Sequence, residues 1–236
     1  PDFVSVPVAG MIDPAYLKRR SAMIRLDRSL RTYEPGTPPG AQPRTAAGPQ
    51  PEAGTSHFVA VDRNGDVASW TSTIESFFGS QLVANGVILN NELTDFSFAP
   101  EKDGKLVANR VEPGKRPLSS MSPTIVYDDK GVPIFTVGAA GGRTIIMQVA
   151  KALIAHFDWG LSAQDSIAHG LIYYNKDGLV LEQGTSLEAM KVPLEKLGHH
   201  VTLSPLGLKA NAAERTAEGH WVGAADPRSP GVSLQE

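Results

Sequence analysis

Side chains alternate most regularly from Thr55 onward. His57, Val59 and Val61 fall to one side of the run and Phe58, Ala60 and Asp62 to the other, the period-two pattern of a strand. Asn64-Gly65 supplies turn chemistry and residues 66–74 repeat the alternation, so 55–62 and 66–74 predict a hairpin. Further strands are expected at 86–91, 122–128 and 132–138, the last two joined by a turn at 129–131, with a loop over 98–116. Ala139-Ala140-Gly141-Gly142 opens a helix over 143–157, where Ile146, Val149, Ala150, Leu153, Ile154 and Phe157 recur at near-helical spacing. Ser162, with Asp165 three residues on, caps a second helix to His169. Strands at 170–174 and 179–182, a helix over 186–197 stopped by Gly198, a strand at 199–203 and a hairpin near 211–224 complete the chain. Upstream, residues 3–8 alternate as a short extended piece, and Asp13-Pro14 starts a helix to Leu26. Strands, then two helices, then strands and a helix make an α+β layer pattern.

Residues 34–54 interrupt this order. They contain no large aliphatic or aromatic side chain and are dominated by Pro and Gly, which predicts an extended, mobile linker. Thr55 therefore stands where a linker meets a buried strand. Two readings are open there: a polar cap on a strand N-terminus, or a latent N-terminal nucleophile exposed when the Gly54–Thr55 bond is cut.

Composition narrows the chemistry. A hydrophobic fraction of 41% suits a globular domain with a sizeable core, and a net charge of -3 gives no electrostatic case for nucleic acid. Cys is absent, which excludes disulfides, thiolate metal sites and a Cys nucleophile. No apolar run reaches the length of a membrane span. The chain opens on Pro1-Asp2-Phe3, without an initiator Met, and reads as a piece of something longer. His199-His200 has no partner at metal-ligand spacing, so neither a metal nor a cofactor is expected.

Six segments occur in order: Thr55-Ser56-His57, Thr71-Ser72-Thr73, Asn90-Asn91-Glu92-Leu93-Thr94-Asp95, Arg116-Pro117-Leu118-Ser119-Ser120, Gly138-Ala139-Ala140-Gly141-Gly142 and Asp226-Pro227-Arg228-Ser229. Together they resemble the small subunit of gamma-glutamyltransferases, a family of N-terminal nucleophile hydrolases. The resemblance covers 55–229, and residues 1–54 look like the end of the large subunit. It implies a four-layer αββα fold, incomplete without the large subunit, with boundaries at 1–33 (large-subunit end), 34–54 (linker) and 55–236 (catalytic subunit). It further implies a precursor that cuts itself between Gly54 and Thr55, and gamma-glutamyl transfer or hydrolysis through an acyl-enzyme. The partners implied are the large subunit, a small gamma-glutamyl donor, and water or an amino acid or peptide as acceptor. Same-fold glutaryl or cephalosporin acylases and a non-processing amino-acid binder are the alternatives. The family suggests a periplasmic or extracellular setting, with the cytoplasm left open.

The resemblance also distributes roles. Thr55 is nucleophile, and its freed α-amine, with an ordinary pKa of about 7.7–8.0, is its base. Thr73 bonds the nucleophile's hydroxyl. Gly141 and Gly142 form the oxyanion hole before a helix. Ser119 and Ser120 take the donor's α-carboxylate, and Asp95 and Glu92 its ammonium. Glu75 stands where better-known relatives have Asn. Glu75, Glu92 and Asp95 around one ammonium leave an excess of negative charge, so a protonated carboxyl or a further cation is expected, with an altered acyl preference. The loop 98–114 corresponds to the family's lid and has no aromatic residue beyond Phe98, which predicts a weak lid and access for water.

Overall fold

The computed structural model describes residue 3 and residues 5–42, 54–175 and 177–234. Most of the expected linker, 43–53, lies outside the described residues.

Helices α1 (Val8–Met11) and α2 (Pro14–Ser21) open the chain. Asp13 caps α2 by accepting the Tyr16 N–H at 2.7 Å, with Pro14 in the first turn. The stretch expected to be extended thus turns helical at Val8, where Pro7, with φ of -79°, sits at the N-cap. α2 ends at Ser21 rather than near Leu26.

Strands β1 (Thr55–Val61) and β2 (Val67–Thr73) form the expected antiparallel hairpin, in register from Thr55 opposite Thr73 to Val61 opposite Val67. The Asp62 carboxylate closes the turn by accepting the N–H groups of Asn64 and Asp66. β3 (Val83–Ala84) and β4 (Val87–Ile88) make a miniature hairpin. The strand expected over 86–91 shrinks to β4, because Asn90 and Asn91 spend their side chains on the turn that follows. β5 (Glu101–Lys102) and β6 (Lys105–Leu106) form a second small hairpin inside the segment expected to be a loop, around Asp103-Gly104 with positive φ at both.

β7 (Thr124–Tyr127) and β8 (Pro133–Ala140) lead into helices α3 (Ile145–Phe157) and α4 (Ala163–Ala168). A 3-10 turn over Gly142–Thr144 precedes α3, and Ser162 caps α4 through the Asp165 N–H, as expected. β9 (Ile172–Asn175), β10 (Gly178–Glu182), α5 (Lys191–Lys196), β11 (Val201–Ser204), β12 (Lys209–Arg215) and β13 (Trp221–Ala225) follow. The helix expected over 186–197 is split: Ser186–Met190 is 3-10 and α5 continues it.

The central sheet has the order β13-β12-β8-β7. β8 is buried on both faces. Its Phe135, Val137 and Ala139 join Ile145, Val149 and Ala152 of α3, Ala163 and Ile167 of α4, and Ala210 and Ala212 of β12 in one core. Thr136, Gly138 and Ala140 alternate to the opposite face, where the β1–β2 hairpin packs against β8 and β12. Helix, sheet and second sheet thus form three layers of the expected four. The outer face of the hairpin is open at Phe58 and Trp70, stacked at 6.0 Å and exposed by 51% and 58%.

The third sheet, β11-β10-β9, is joined to this frame by buried charge. Arg228 donates to Glu182 at 2.8 Å and to Asp226 at 2.7 Å, while Asp226 accepts the Ala210 N–H and Glu182 that of Leu171. Lys151 of α3 caps the end of α4 by donating to the carbonyls of Ile167 and His169. Upstream, Tyr33 packs on Tyr174 at 4.2 Å between ring centroids and bonds His199 Nδ1 at 2.9 Å.

Candidate active site

One cleft is lined by Thr55, Thr73, Glu75, Glu92, Asp95, Leu118, Ser119, Ser120, Met121, Gly142 and Ile145. Five separate stretches of sequence meet there. Gly141 alone among the residues assigned to catalysis or donor binding is not in the lining.

The floor is the open end of the β1–β2 hairpin. Thr55 and Thr73 are directly opposed, so their side chains share a face. The Thr73 hydroxyl donates to the carbonyl oxygen of Gly54 at 2.8 Å and accepts the Glu75 N–H at 2.8 Å. Its observed partner is thus the carbonyl of the bond before Thr55. Gly54 has φ of +85°, and a Cβ on it would lie 2.5 Å from the Glu75 carbonyl oxygen. The backbone at the junction is threaded through a gap that admits glycine alone. Glu75 itself has φ of +71°, a left-handed conformation that a side-chain-bearing residue holds at a cost of roughly 1–3 kcal/mol.

The acidic wall comes from two segments joined by Asn91. Its side-chain Oδ1 accepts the Ser76 N–H at 2.9 Å, and its Nδ2 donates to the hydroxyls of Ser76 and Thr94. This ties the Glu75 corner to the 3-10 turn Glu92–Asp95. Carboxylate oxygens of Glu75, Glu92 and Asp95 all lie within 4.8 Å of one another. Burial, reinforced by the charges of Asp95 and Glu75, pushes the Glu92 carboxyl up to about 7. Burial also raises Asp95, against the Glu92 hydrogen bond that lowers it. Burial and the neighbouring carboxylates thus both favour the protonated form of Glu92. The three carboxylates singled out in the sequence are thus brought to one place. By ligand type the trio suits a hard cation or an ammonium.

The serine wall is placed by Asn109. Its amide donates to the Asp95 carbonyl at 2.7 Å and its carbonyl accepts the Leu118 N–H at 2.9 Å. One side chain thus fixes Ser119 and Ser120 against Asp95. Neither Asn91 nor Asn109 carries a local sequence signal for this role, since each joins segments distant in the chain.

The loop between β8 and α3 closes the cleft. Gly141 and Gly142 have φ of +126° and +57°, so both hold backbone that L side chains rarely adopt. Gly142 lines the cleft; Gly141 sits behind it, its carbonyl accepting the N–H and hydroxyl of Thr144. The helix N-terminus above them gives the loop a positive electrostatic end. None of residues 98–114 lines the cleft: the segment corresponding to a lid instead folds as the β5–β6 hairpin, with Val107 buried. His199 and His200 lie just before β11, one bonded to Tyr33 and the other to the Asp177 carbonyl.

The model of the gamma-glutamyltranspeptidase family matches residues 1–235. The glutathione hydrolase proenzyme of Bacillus subtilis (strain 168) is 36% identical over 247 residues, covering 99% of this chain and 41% of that protein. The proenzyme of the same name from Escherichia coli (strain K12) is 34% identical over 238 residues, covering 97% and 40%. The chain thus spans about two fifths of the length of these relatives. Among solved structures, the T380A mutant of Helicobacter pylori gamma-glutamyltranspeptidase superposes with a TM-score of 0.65 at 31% identity, over 73% of this chain and 99% of that one. Cephalosporin acylase from Bacillus halodurans superposes with a TM-score of 0.77 over 97% of this chain and 39% of that one; at 22% identity this is a likeness of fold.

Proposed function

The chain belongs to the gamma-glutamyltranspeptidase family, and on that premise we propose that it carries the catalytic end of a self-processing enzyme that transfers or hydrolyses gamma-glutamyl groups. The observation that carries the reading is the hydrogen bond from Thr73 to the Gly54 carbonyl, in a cleft that also holds Thr55, the acidic trio and the serine pair.

Two reactions follow at Thr55. In the uncut chain its Oγ attacks the Gly54 carbonyl carbon while Thr73 donates to the oxygen that gains charge. The C–N bond breaks, an ester to Thr55 forms, and the proton of the Thr55 hydroxyl goes to the nitrogen, which leaves as the α-amine. Water then hydrolyses the ester, leaving a carboxylate on Gly54 and a free hydroxyl on Thr55. In the cut chain the α-amine takes the hydroxyl proton as Oγ attacks the donor's γ-carbonyl. The proton passes to the leaving amine, and an acyl ester remains. Water or an amine acceptor completes the cycle by attacking that ester.

Gly142, with Gly141 holding its backbone, supplies the oxyanion site. Ser119 and Ser120 bind the donor's α-carboxylate, and Asp95, Glu92 and Glu75 its ammonium. Residues 1–33 belong to a large subunit that completes the sheets and covers Phe58 and Trp70, 34–54 are the linker to the cut, and 55–236 are the small subunit. Since 98–114 leave the cleft uncovered, water competes well as acceptor.

The acidic trio also ranks donors. A glutaryl group keeps the carboxylate but lacks the ammonium, so it brings negative charge to negative charge. Rates on gamma-glutamyl and glutaryl anilides, measured side by side in the intact protein, test this. The gamma-glutamyl compound is expected to be favoured strongly, and Glu75→Asn to narrow the gap; equal rates on both would refute the assignment of the trio.

A further inference from the structure

His57 has no place in the chemistry above, and its surroundings are unusual for a core residue. It is buried two residues after Thr55 on the same face of β1, opposite Thr71, which stands two residues before Thr73. Nδ1 and the Thr71 hydroxyl are 2.8 Å apart. Nε2 is buried and meets no hydrogen-bond partner among the described residues. Burial lowers the imidazole to about 4, so the ring is neutral at neutral pH, with an N–H on one nitrogen and a lone pair on the other. It does not line the cleft.

The ring lies flat against β8. A Cβ on Gly138 would sit 2.2 Å from Cε1, 2.4 Å from Nδ1 and 2.5 Å from Nε2 of His57. The glycine is required here by close approach, since its φ is not in the left-handed region. Gly138 is three residues before Gly141 on the strand that carries the oxyanion loop. Behind it, Asn211 of β12, paired with Gly138, donates its side-chain amide to the His57 carbonyl at 2.6 Å. Both the ring and the backbone of His57 are therefore fastened to the central sheet, through β8 and β12.

We infer that His57 is a positioning residue: its ring, seated on Gly138, sets the separation between the strand that presents Thr55 and the strand that presents Gly141 and Gly142. The inference rests on the assignment of Thr55 as nucleophile and of these glycines as the oxyanion loop. A one-methyl-group error at this contact shifts β1 relative to β8. The acidic trio and the serine pair are held by Asn91 and Asn109, not by this contact. Misplacement should consequently appear in the chemical step and spare donor binding.

The test is a reciprocal-volume pair in the intact protein. Gly138→Ala is expected to lower kcat at least tenfold with KM changed less than threefold. His57→Asn keeps a polar partner for Thr71 and vacates the space a Cβ needs. The double variant is therefore expected to turn over several-fold faster than Gly138→Ala alone, whereas independent defects would multiply. If Gly138→Ala does not accumulate as folded protein, recovery of folded, active protein in the double variant supports the inference. If neither form folds, His57→Asn alone decides, and an unchanged kcat overturns the inference. A double variant no faster than Gly138→Ala also overturns it, as does a loss confined to KM. Thr55→Ala, run in parallel, separates the two levels: turnover retained there refutes the nucleophile assignment, whatever the pair does.

Discussion

Thr73→Val is the most informative single change at the cut site. Valine keeps the shape and β-branching of the side chain in β2, so the cross-strand pairing with Thr55 is retained. It removes one hydroxyl with two bonds, one to the Gly54 carbonyl and one from the Glu75 N–H, each 2.8 Å. Two magnitudes compete. If the bond to Gly54 only steadies the ground state, its loss is worth about 0.5–1.5 kcal/mol, or roughly two- to twelvefold in rate. If Thr73 donates to the oxygen as charge builds on it, the loss resembles removal of an oxyanion-hole donor, about 100- to 1000-fold, or about 2.7–4 kcal/mol. The assay is the rate at which newly made chain divides between Gly54 and Thr55, followed by denaturing gel and intact mass after a short synthesis pulse. A slowing of 100-fold or more is expected, with Thr73→Ser within tenfold of the parent. Cleavage of Thr73→Val within tenfold of the parent would refute the role given to this hydroxyl.

Other consequences follow from the cleft and the frame. Asn109→Ala unties the Asp95 carbonyl from the Leu118 amide and should raise KM for a gamma-glutamyl donor about tenfold, one to two hydrogen bonds' worth, with kcat little changed; steady-state kinetics on an anilide decide. Glu92 is raised to about 7, and a bound ammonium draws it back toward its ordinary 4.5, so donor binding releases a proton. KM should therefore fall as pH rises toward 7 and then level, and Glu92→Gln should flatten the profile; a KM that climbs over that range contradicts the assignment. By the same linkage, in donor-free protein this carboxyl's stabilising contribution is complete below 4.5 and is lost as pH passes 7. Arg228→Met leaves the buried carboxylates of Glu182 and Asp226 without their cation and should cost roughly 3–5 kcal/mol, lowering Tm by about 6–20 °C in thermal unfolding.

The hairpin of β1 and β2, the pair β7 and β8, α3 and the cap at Ser162 were legible in the sequence because each is a local pattern: alternation, a turn dipeptide, helical spacing, a hydroxyl before an acid. The cleft residues were legible through their resemblance to a family, and the structure brings all but Gly141 to one surface. Asn91, Asn109 and His57 were not legible as parts of the site. Each acts by joining segments far apart in the chain, through side-chain-to-backbone bonds or a ring against a missing Cβ, and no local pattern records a long-range contact. The left-handed backbone at Glu75 was hidden for the same reason, since nothing in Thr-Ile-Glu-Ser announces a positive φ. The short hairpin of β5 and β6 was read as loop because two-residue strands are too brief to show a period.

Everything proposed for this chain turns on whether residue 55 comes to begin a polypeptide and whether its oxygen forms the acyl ester. Peptide mapping of the intact protein after treatment with a glutamine-like electrophile measures both at once. The account predicts a fragment that starts at Thr55 and carries the adduct on that residue's side chain. An unbroken Gly54–Thr55 bond in active protein, or an adduct on any other residue, would contradict it.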